Sequence, residues 1–200
     1  MEEILDIIDF STGRPTGEQA PRKLAHKNAL AHKAVHLWVR IRHEGVPCFL
    51  FQQRSLDKPN FPGIYVASVG GHVMAGEGFE CLIREAEEEI GLEVELAQVQ
   101  YIESHPFILE LPDYHDYEWI DEYLLDSDLS IRDFSFPDRE AIGLALIPQT
   151  EIAPMIQDPG GYVIEGWHWD GERIEKRGYG GLDFIPDFWD MSITHRLAVL

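Results

Sequence analysis

Three glutamates with the spacing of one helix face are the residues of this sequence best placed to do chemistry. Glu85, Glu88 and Glu89 stand three and four positions apart, so a helix with about 3.6 residues per turn brings their carboxylates together. Three such charges repel one another unless a cation lies among them. The alternative is a solvated acidic face, and we interpret Glu87 in that way. The spacing therefore predicts either a divalent-metal site or ordinary surface charge.

A glycine-rich stretch and two arginines favour the metal site. Gly70 and Gly71 precede the glutamates, and a glycine backbone can approach a phosphate closely because it carries no side chain. Arg84 can orient a neighbouring glutamate or contact a substrate. Arg54 is a further candidate, with an exposed surface arginine as the alternative. We predict that Gly70, Gly71 and Arg54 contact a substrate phosphate.

A helix over residues 79–90 must position the carboxylates. At about 100° per residue, its apolar side chains form one stripe and the glutamates form another roughly 120° away. The stripe contains Phe79, Leu82, Ile83, Ala86 and Ile90. Gly91 is predicted to end the helix, because glycine adopts the left-handed conformation that follows a helix.

The rest of the chain reads as a mixture of strands and short helices. Strands are predicted over residues 35–42, 48–53, 64–69, 93–103, 119–125, 141–147, 162–169 and 172–179. Helices or turns are predicted over residues 22–32, 149–157 and 184–200. Glu44-Gly45 and Asp170-Gly171 are hairpin signals. The mixture indicates an α/β or α+β fold.

Composition and charge restrict the classes of partner. With 200 residues, 44% of them hydrophobic, the chain suits one globular domain with a core. The net charge of −20 repels nucleic-acid polymers and anionic membranes. It also repels a small polyanion unless arginines or bound cations reverse the local potential. A metal site is therefore plausible on charge alone.

Location and redox state follow from simple patterns. No stretch reaches the roughly 20 apolar residues of a membrane span, and the first residues do not resemble a signal peptide. We therefore expect a cytoplasmic protein without membrane contact. Cys48 and Cys81 form no metal-binding or redox motif, and we expect both to be reduced thiols in the core.

The region after Gly70 resembles the Nudix signature, G-x5-E-x7-R-E-U-x-E-E-x-G-U, in which U is a bulky aliphatic residue. The matching positions, in order, are Gly71, Glu77, Arg84, Glu85, Glu88, Glu89, Gly91 and Leu92. Two departures exist. Six residues rather than seven separate Glu77 from Arg84, which leaves the placing of Glu77 open, and the small Ala86 stands at the first aliphatic position.

The resemblance implies a fold, an activity and a cofactor. The Nudix fold is a mixed β-sheet sandwiched between helices, and its loop–helix–loop holds Mg²⁺ or Mn²⁺. It implies a hydrolase that cleaves a diphosphate bond in a small substrate such as a nucleoside-diphosphate-linked compound. Glu85, Glu88 and Glu89 are then the metal ligands, with Glu77 as a further one. Glu88 or Glu89, together with Arg84, would be catalytic.

A longer resemblance indicates the isopentenyl-diphosphate-isomerase-like branch of this superfamily. The run Val35-His36-Leu37-Trp38-Val39 and the segments 52–55 and 61–73 carry it. True isomerases have a catalytic cysteine immediately before the Gly-His of this region, where this chain has Gly70, so hydrolysis is favoured over isomerisation. The resemblance also implies a second metal site formed by His32 and His72, with His26 and Glu118, and structural histidines are the alternative.

Several alternatives stay open at this level. Glu118 or Glu122 is an alternative general base. The whole chain is expected to be a single Nudix domain, with an N-terminal extension over residues 1–34, a core over residues 35–157 and a hairpin and helix over residues 158–200. That last region either covers the site or forms a homodimer contact. The rival functions are a non-catalytic nucleotide-binding or protein-binding module and a prenyl-diphosphate isomerase.

Overall fold

The structure, a computed structural model, describes residues 2–112 and 114–200. In this part of the chain, eleven strands join one sheet. The strands are β1 (Ile4–Asp9), β2 (Arg14–Pro21), β3 (His32–His43), β4 (Val46–Arg54), β5 (Tyr65–Val66), β6 (Val69–His72), β7 (Gln100–Leu111), β8 (Tyr114–Asp126), β9 (Ala141–Pro148), β10 (Ile164–Trp169) and β11 (Ile174–Tyr179). The helices are α1 (Arg22–Lys27), α2 (Cys81–Ile90), α3 (Gln149–Gln157) and α4 (Ser192–Leu197).

Strand pairing makes the sheet mixed. Strands β3 and β8 are parallel, with His32 opposite Glu118 and His36 opposite Glu122. Strand β3 also pairs in the antiparallel sense with β4 and with β6, where His36 lies opposite Gly70. The remaining pairs, including the long β7–β8 hairpin, are antiparallel. Strand β3 therefore lies at the centre of the sheet, where it is hydrogen-bonded to β4, β6 and β8.

Helices cover both faces of the sheet. On one face, Leu82, Ala86 and Ile90 of α2 are fully buried against apolar side chains of β3, β4, β6 and β9. On the other face, α3 and α4 pack on a second cluster that includes Trp38 and Phe51. The predicted mixed sheet between helices is confirmed. None of the helices described in the structure combines the length and the apolar character that crossing a membrane requires.

Helix α2 largely follows its predicted boundaries. It begins at Cys81, two positions later than predicted, because residues 78–80 form a turn. Gly91 ends it in the left-handed conformation with φ 63°. The predicted apolar stripe is wrong at Phe79, which is 48% exposed and precedes the helix, and Cys81 fills the core instead. Both cysteines are buried and free, as predicted.

The predicted strand over residues 64–69 is two short strands. Strand β5 pairs with β4, and β6 pairs with β3. The chain crosses between these partners at Ser68, whose hydroxyl accepts a hydrogen bond from the Val39 N–H group and donates one to the Leu50 carbonyl. Hydrogen bonds to β3 and β4 thus fix the crossing point. No periodicity in the sequence predicts it.

The strand predicted over residues 93–103 is wrong in its first half. Leu96–Gln98 form a 3₁₀ turn, and β7 continues to Leu111, well past the predicted end. The burial pattern of β7 alternates between exposed and half-buried, because it pairs only with β8. Residue 113, between β7 and β8 in the sequence, lies outside the described residues.

The terminal helix predicted over residues 184–200 is wrong except at Ser192–Leu197. Pro186 has no N–H group to continue a helix, and Asp187 has a positive φ of 61°. The Ile185 N–H group instead donates a hydrogen bond to the Tyr65 carbonyl. The segment before α4 is therefore fixed against the sheet, where Phe188 packs on Trp38.

Candidate active site

A cavity of about 490 Å³ brings most of the predicted site residues together. Its wall contains carboxylates of α2, the glycines of β6, side chains of β3, β7 and β8, and apolar side chains from residues 185–193. The predicted residues that line it are Arg54, Gly70, Gly71, His72, Arg84, Glu85, Glu88, Glu89 and Glu118. Glu77 and His32 are not part of this lining, but Glu77 contacts Arg84 and His32 contacts Glu118, which are.

The three glutamates of α2 lie in different environments. Glu89 is 6% exposed, and its Oε2 atom accepts a hydrogen bond of 3.0 Å from the Gly70 N–H group. Burial raises the pKa of Glu89 to about 8 and that of Glu85 to about 7. Glu88 has a side chain that is 53% exposed. Two carboxyl groups that resist ionisation beside a cavity are a set that a bound dication would stabilise.

Gly71 is required because the Glu85 side chain occupies the space beside it. A Cβ atom at Gly71 would lie 2.2 Å from Glu85 Cδ, which is closer than any real contact. At Gly70, a Cβ atom would lie 3.0 Å from His36 Cδ2. These glycines make room for site side chains, and the Gly70 N–H group is already engaged by Glu89. Their predicted contact with phosphate remains a prediction.

Arg84 joins three of the acidic residues. Its Nη1 atom lies 2.7 Å from Glu85 Oε1 and 3.3 Å from Glu88 Oε2. Its Nε and Nη2 atoms contact the two oxygens of Glu77 at 3.2 and 3.1 Å. The shortened loop therefore still brings Glu77 to the helix, where its carboxylate pairs with Arg84. Arg84 supplies the positive charge that keeps these carboxylates together.

A second cluster of five titratable residues lies at the start of β3. One ligand atom from each of its members lies within 4.8 Å of the others, and no such group among residues 2–112 and 114–200 includes the α2 glutamates. The members are His26, His32, His72, Asp116 and Glu118. The sequence predicted all except Asp116. The signal for Asp116 was its position two residues before Glu118, which places both on one face of β8.

The atoms of this five-residue cluster point inward. His72 Nε2 lies 3.1 Å from Glu118 Oε1, and His26 Nε2 lies 3.5 Å from Asp116 Oδ1. The first histidine atom and the Asp116 oxygen are buried without a hydrogen bond of good geometry. His32 Nδ1 bonds the Leu30 carbonyl at 2.9 Å, which turns Nε2 toward the cluster. Imidazole and carboxylate donors arranged in this way fit a transition-metal ion.

A third group surrounds Glu122, which is 1% exposed. Its oxygens accept hydrogen bonds from Trp38 Nε1 at 2.6 Å, His105 Nε2 at 2.9 Å and His36 Nδ1 at 3.2 Å. Burial raises the pKa of Glu122, but His36 and the other donors outweigh burial and lower it to about 2. Glu122 therefore holds its neighbours in place and is poorly suited to accept a proton. The sequence reasoning missed His36 and His105.

Arg54 lies in the cavity wall with part of its guanidinium engaged. Its Nε and Nη2 atoms donate to the Asn60 carbonyl at 3.2 and 3.1 Å. The Nη1 atom has no hydrogen bond among the contacts that the structure describes. Arg54 is therefore anchored to its own loop, and its contact with a substrate phosphate remains a prediction.

Comparison with known proteins agrees with this geometry. The model of the NUDIX domain family matches residues 30–164. A Nudix hydrolase of Clostridium acetobutylicum is 30% identical over 193 residues, which cover 92% of this chain and 91% of that protein. Nudix hydrolase 3 of Arabidopsis thaliana is 37% identical over 94 residues, but the match covers 46% of this chain and 12% of that protein.

Solved structures share the fold. The crystal structure of DR0079 from Deinococcus radiodurans has a TM-score of 0.54 and 21% identity, covering 78% of this chain and 90% of that one. A MutT/nudix family protein from Enterococcus faecalis has a TM-score of 0.52 and 17% identity, covering 74% of this chain and 50% of that one. At these identities the likeness concerns the fold alone.

Proposed function

Because this chain belongs to the Nudix hydrolase family, and so to the pyrophosphohydrolases, we propose that it is a metal-dependent hydrolase of a small organic diphosphate. The proposed cofactor is Mg²⁺ or Mn²⁺. The observation that carries the proposal is the pair of carboxyl groups with raised pKa values in the wall of the cavity, buried Glu89 and half-buried Glu85. Buried carboxylates stay ionised only beside a compensating charge. Arg84 contacts Glu85, whereas Glu89 has the Gly70 N–H group, and a dication held by these glutamates would provide the further positive charge.

The residues of α2 have different proposed roles. Glu85, Glu88 and Glu89 would hold the metal, and Arg84 would position Glu85 and Glu88 through the contacts described above. A bound dication neutralises charge on the phosphate and lowers the pKa of the attacking water. Glu88 and Glu89 are the two candidates for the group that accepts the proton of that water. Glu77 would hold Arg84 in position through their ion pair.

The five-residue cluster supports a finer assignment. We propose that His26, His32, His72, Asp116 and Glu118 hold a second metal ion, and that the chain lies in the isopentenyl-diphosphate-isomerase-like branch. The two orphaned buried atoms of this cluster support the metal site. With Gly70 in place of the isomerase cysteine, the chain keeps the metal ligands of that branch and lacks one of its proton-transfer groups.

Replacement of single helix glutamates tests the proposed function. We expect E88Q and E89Q each to lower metal-dependent turnover by about 10²-fold or more. The matched control is E87Q, because Glu87 lies on the same helix and is exposed; it should stay within about twofold of the wild type. The readout is release of phosphate or monophosphate from a panel of diphosphates with Mg²⁺ or Mn²⁺. Full activity of both E88Q and E89Q would show that the α2 glutamates do not take part in the reaction.

The same assay separates the alternative functions. A nucleotide-binding or protein-binding module would bind a diphosphate or a partner protein without releasing phosphate, whatever the metal. A prenyl-diphosphate isomerase would move a double bond while the diphosphate stays intact. Retention of Arg84 and of all three helix glutamates favours hydrolysis over both.

The organisation of the chain is part of the proposal. We propose one domain over residues 1–200, with residues 1–34 and 158–200 as additions to a core over residues 35–157. The contacts of Ile185, Phe188 and Met191 with the cavity favour a covering role for the C-terminal addition. The homodimer is the alternative, and the sedimentation of the protein distinguishes the two.

A further inference from the structure

His36 lines the cavity but is not one of the proposed metal ligands. It lies on β3 opposite Glu122 of β8 and opposite Gly70 of β6. Its side chain is 28% exposed, and it lines the cavity. The Gly70 N–H group bonds Glu89, so one position of β6 contacts the Glu89 carboxylate and pairs with His36.

The orientation of the His36 ring is fixed. Nδ1 donates to Glu122 Oε1 at 3.2 Å, while Nε2 has no hydrogen-bond partner among the described residues. His105 differs, because Nε2 binds Glu122 at 2.9 Å and Nδ1 lies 3.3 Å from the Pro106 carbonyl. Trp38 holds the second oxygen of Glu122. Of the two histidines, only His36 therefore has a ring nitrogen free for a substrate.

The glycine at position 70 makes room for this ring. A Cβ atom there would lie 3.0 Å from His36 Cδ2 and 3.4 Å from Nε2. A larger side chain at position 70 would therefore press on the edge of the ring that carries the free nitrogen. The His36 ring therefore keeps its position because residue 70 has no side chain.

We infer that His36 contacts the diphosphate substrate and donates the Nε2 proton to the leaving oxygen, with Glu122 as its positioning residue. The inference rests on the proposed function. Water attacks one phosphorus atom, the bond from that phosphorus to the leaving oxygen breaks, and the electron pair of the bond goes to that oxygen. The proton from Nε2 goes to the leaving oxygen and removes one of its negative charges, a helix glutamate takes the proton of the water, and solvent reprotonates the ring.

The charges around His36 agree with a proton donor. Burial lowers the pKa of His36, but Glu122 outweighs burial, with smaller contributions from Glu118 and Glu89, so that the pKa is raised above its ordinary value. Among the described residues, His105 of β7 also faces it, because both histidines bind Oε1 of Glu122. The protonated ring is then present below its pKa and lost as the pH rises through it, so activity should fall on the alkaline side.

The test compares two leaving groups. The substrates are a dinucleoside or nucleotide-sugar diphosphate, which the wild type is first shown to cleave, and the matching thiolo ester, in which sulfur replaces the leaving oxygen and needs no proton because it is a weak proton acceptor. We expect H36Q to lower kcat on the diphosphate by about 10²-fold and to lower it less than about fivefold on the ester. The alkaline fall in activity on the diphosphate should disappear. H195Q is the matched control, because His195 is exposed on α4.

Two further variants keep the inference testable if H36Q does not fold. G70A should lower kcat on the diphosphate more than on the ester, because the added Cβ atom displaces the ring. E122Q should behave in the same way with a smaller effect. Equal losses on both substrates, or full activity of H36Q, would overturn the inference. So would loss of Mn²⁺ binding by folded H36Q in calorimetry, because His36 would then be a ligand.

These outcomes are distinguishable from failure of the proposed function. A wild-type protein that releases no phosphate from any diphosphate with Mg²⁺ or Mn²⁺ contradicts the hydrolase itself. A wild type that hydrolyses diphosphates while H36Q matches it on both substrates contradicts only the role of His36.

Discussion

Glu89 shows how a single side chain can link stability to the proposed metal. Its carboxyl group is 6% exposed, and burial raises its pKa to about 8. A buried carboxylate without a dication must either take up a proton or destabilise the fold. The Gly70 N–H group offsets only part of this cost. At this scale a bound cation would stabilise the ionised form of Glu89.

The pH dependence of stability tests this view of Glu89. The pKa in the folded protein lies above its ordinary value of 4.5, so the protein binds more protons folded than unfolded, and stability falls as the pH rises between these values. We expect the metal-free protein to lose on the order of a few kcal/mol from Glu89 between pH 5 and pH 8. The free energy of unfolding in urea measures it.

The matched comparison for this prediction is E89Q, which removes the titrating group but keeps the shape. Its unfolding free energy without metal should vary less with pH than that of the wild type. Saturating Mg²⁺ should stabilise the wild type more than E89Q. Parallel pH curves for the two proteins would show that Glu89 is not the group responsible.

At the scale of elements, α2 and β6 form the unit that presents the carboxylates. Gly71 lets Glu85 cross the strand, since a Cβ atom there would overlap the carboxyl group. Gly91 ends the helix with φ 63°, and the Leu92 N–H group bonds back to the Ala86 carbonyl at 2.9 Å. The end of the helix is therefore fixed one turn beyond Glu88, and the direction of its glutamates depends on that end.

Replacement of Gly91 tests the contribution of this helix end. G91A introduces a side chain at a positive φ, and its Cβ atom would lie 2.3 Å from Ser135 Oγ. We expect a loss of about 1–2 kcal/mol in the free energy of unfolding. The double variant with S135G should recover the part due to the clash and leave the conformational cost. A G91A protein as stable as the wild type would show that the left-handed turn is dispensable.

At the scale of the whole molecule, charge opposes the proposed substrate. The chain carries a net charge of −20. The cavity wall itself contains nine carboxylate side chains and four arginines or lysines. The proposed anionic diphosphate would therefore approach against repulsion, which dications bound near α2 would reduce.

Ionic strength should reveal this repulsion. With saturating Mg²⁺, we expect kcat/KM to rise roughly two- to fivefold from low to physiological ionic strength, because salt screens charges of like sign. The turnover number at saturating substrate should change little. An unchanged or falling kcat/KM would show that the entrance to the site is locally positive despite the net charge.

The sequence by itself determined the elements with strong local signals. The period of the apolar residues predicted α2, Gly91 predicted its end, and Asp170-Gly171 predicted the β10–β11 hairpin, because these signals depend on neighbouring residues alone. The same local signals failed at the chain crossing near Ser68 and in the terminal segment before α4. There, hydrogen bonds to distant strands decide the conformation.

Only the tertiary structure decided the environment of each residue in the site. The helix spacing predicted that Glu85, Glu88 and Glu89 lie on one face of α2, but their separate environments depend on the elements beside each one, and their joint metal binding stays a prediction. His36 and His105 look like ordinary strand histidines in the sequence. They meet at Glu122 because β3 and β7 both pair with β8, and register between distant strands is set by packing of the whole sheet.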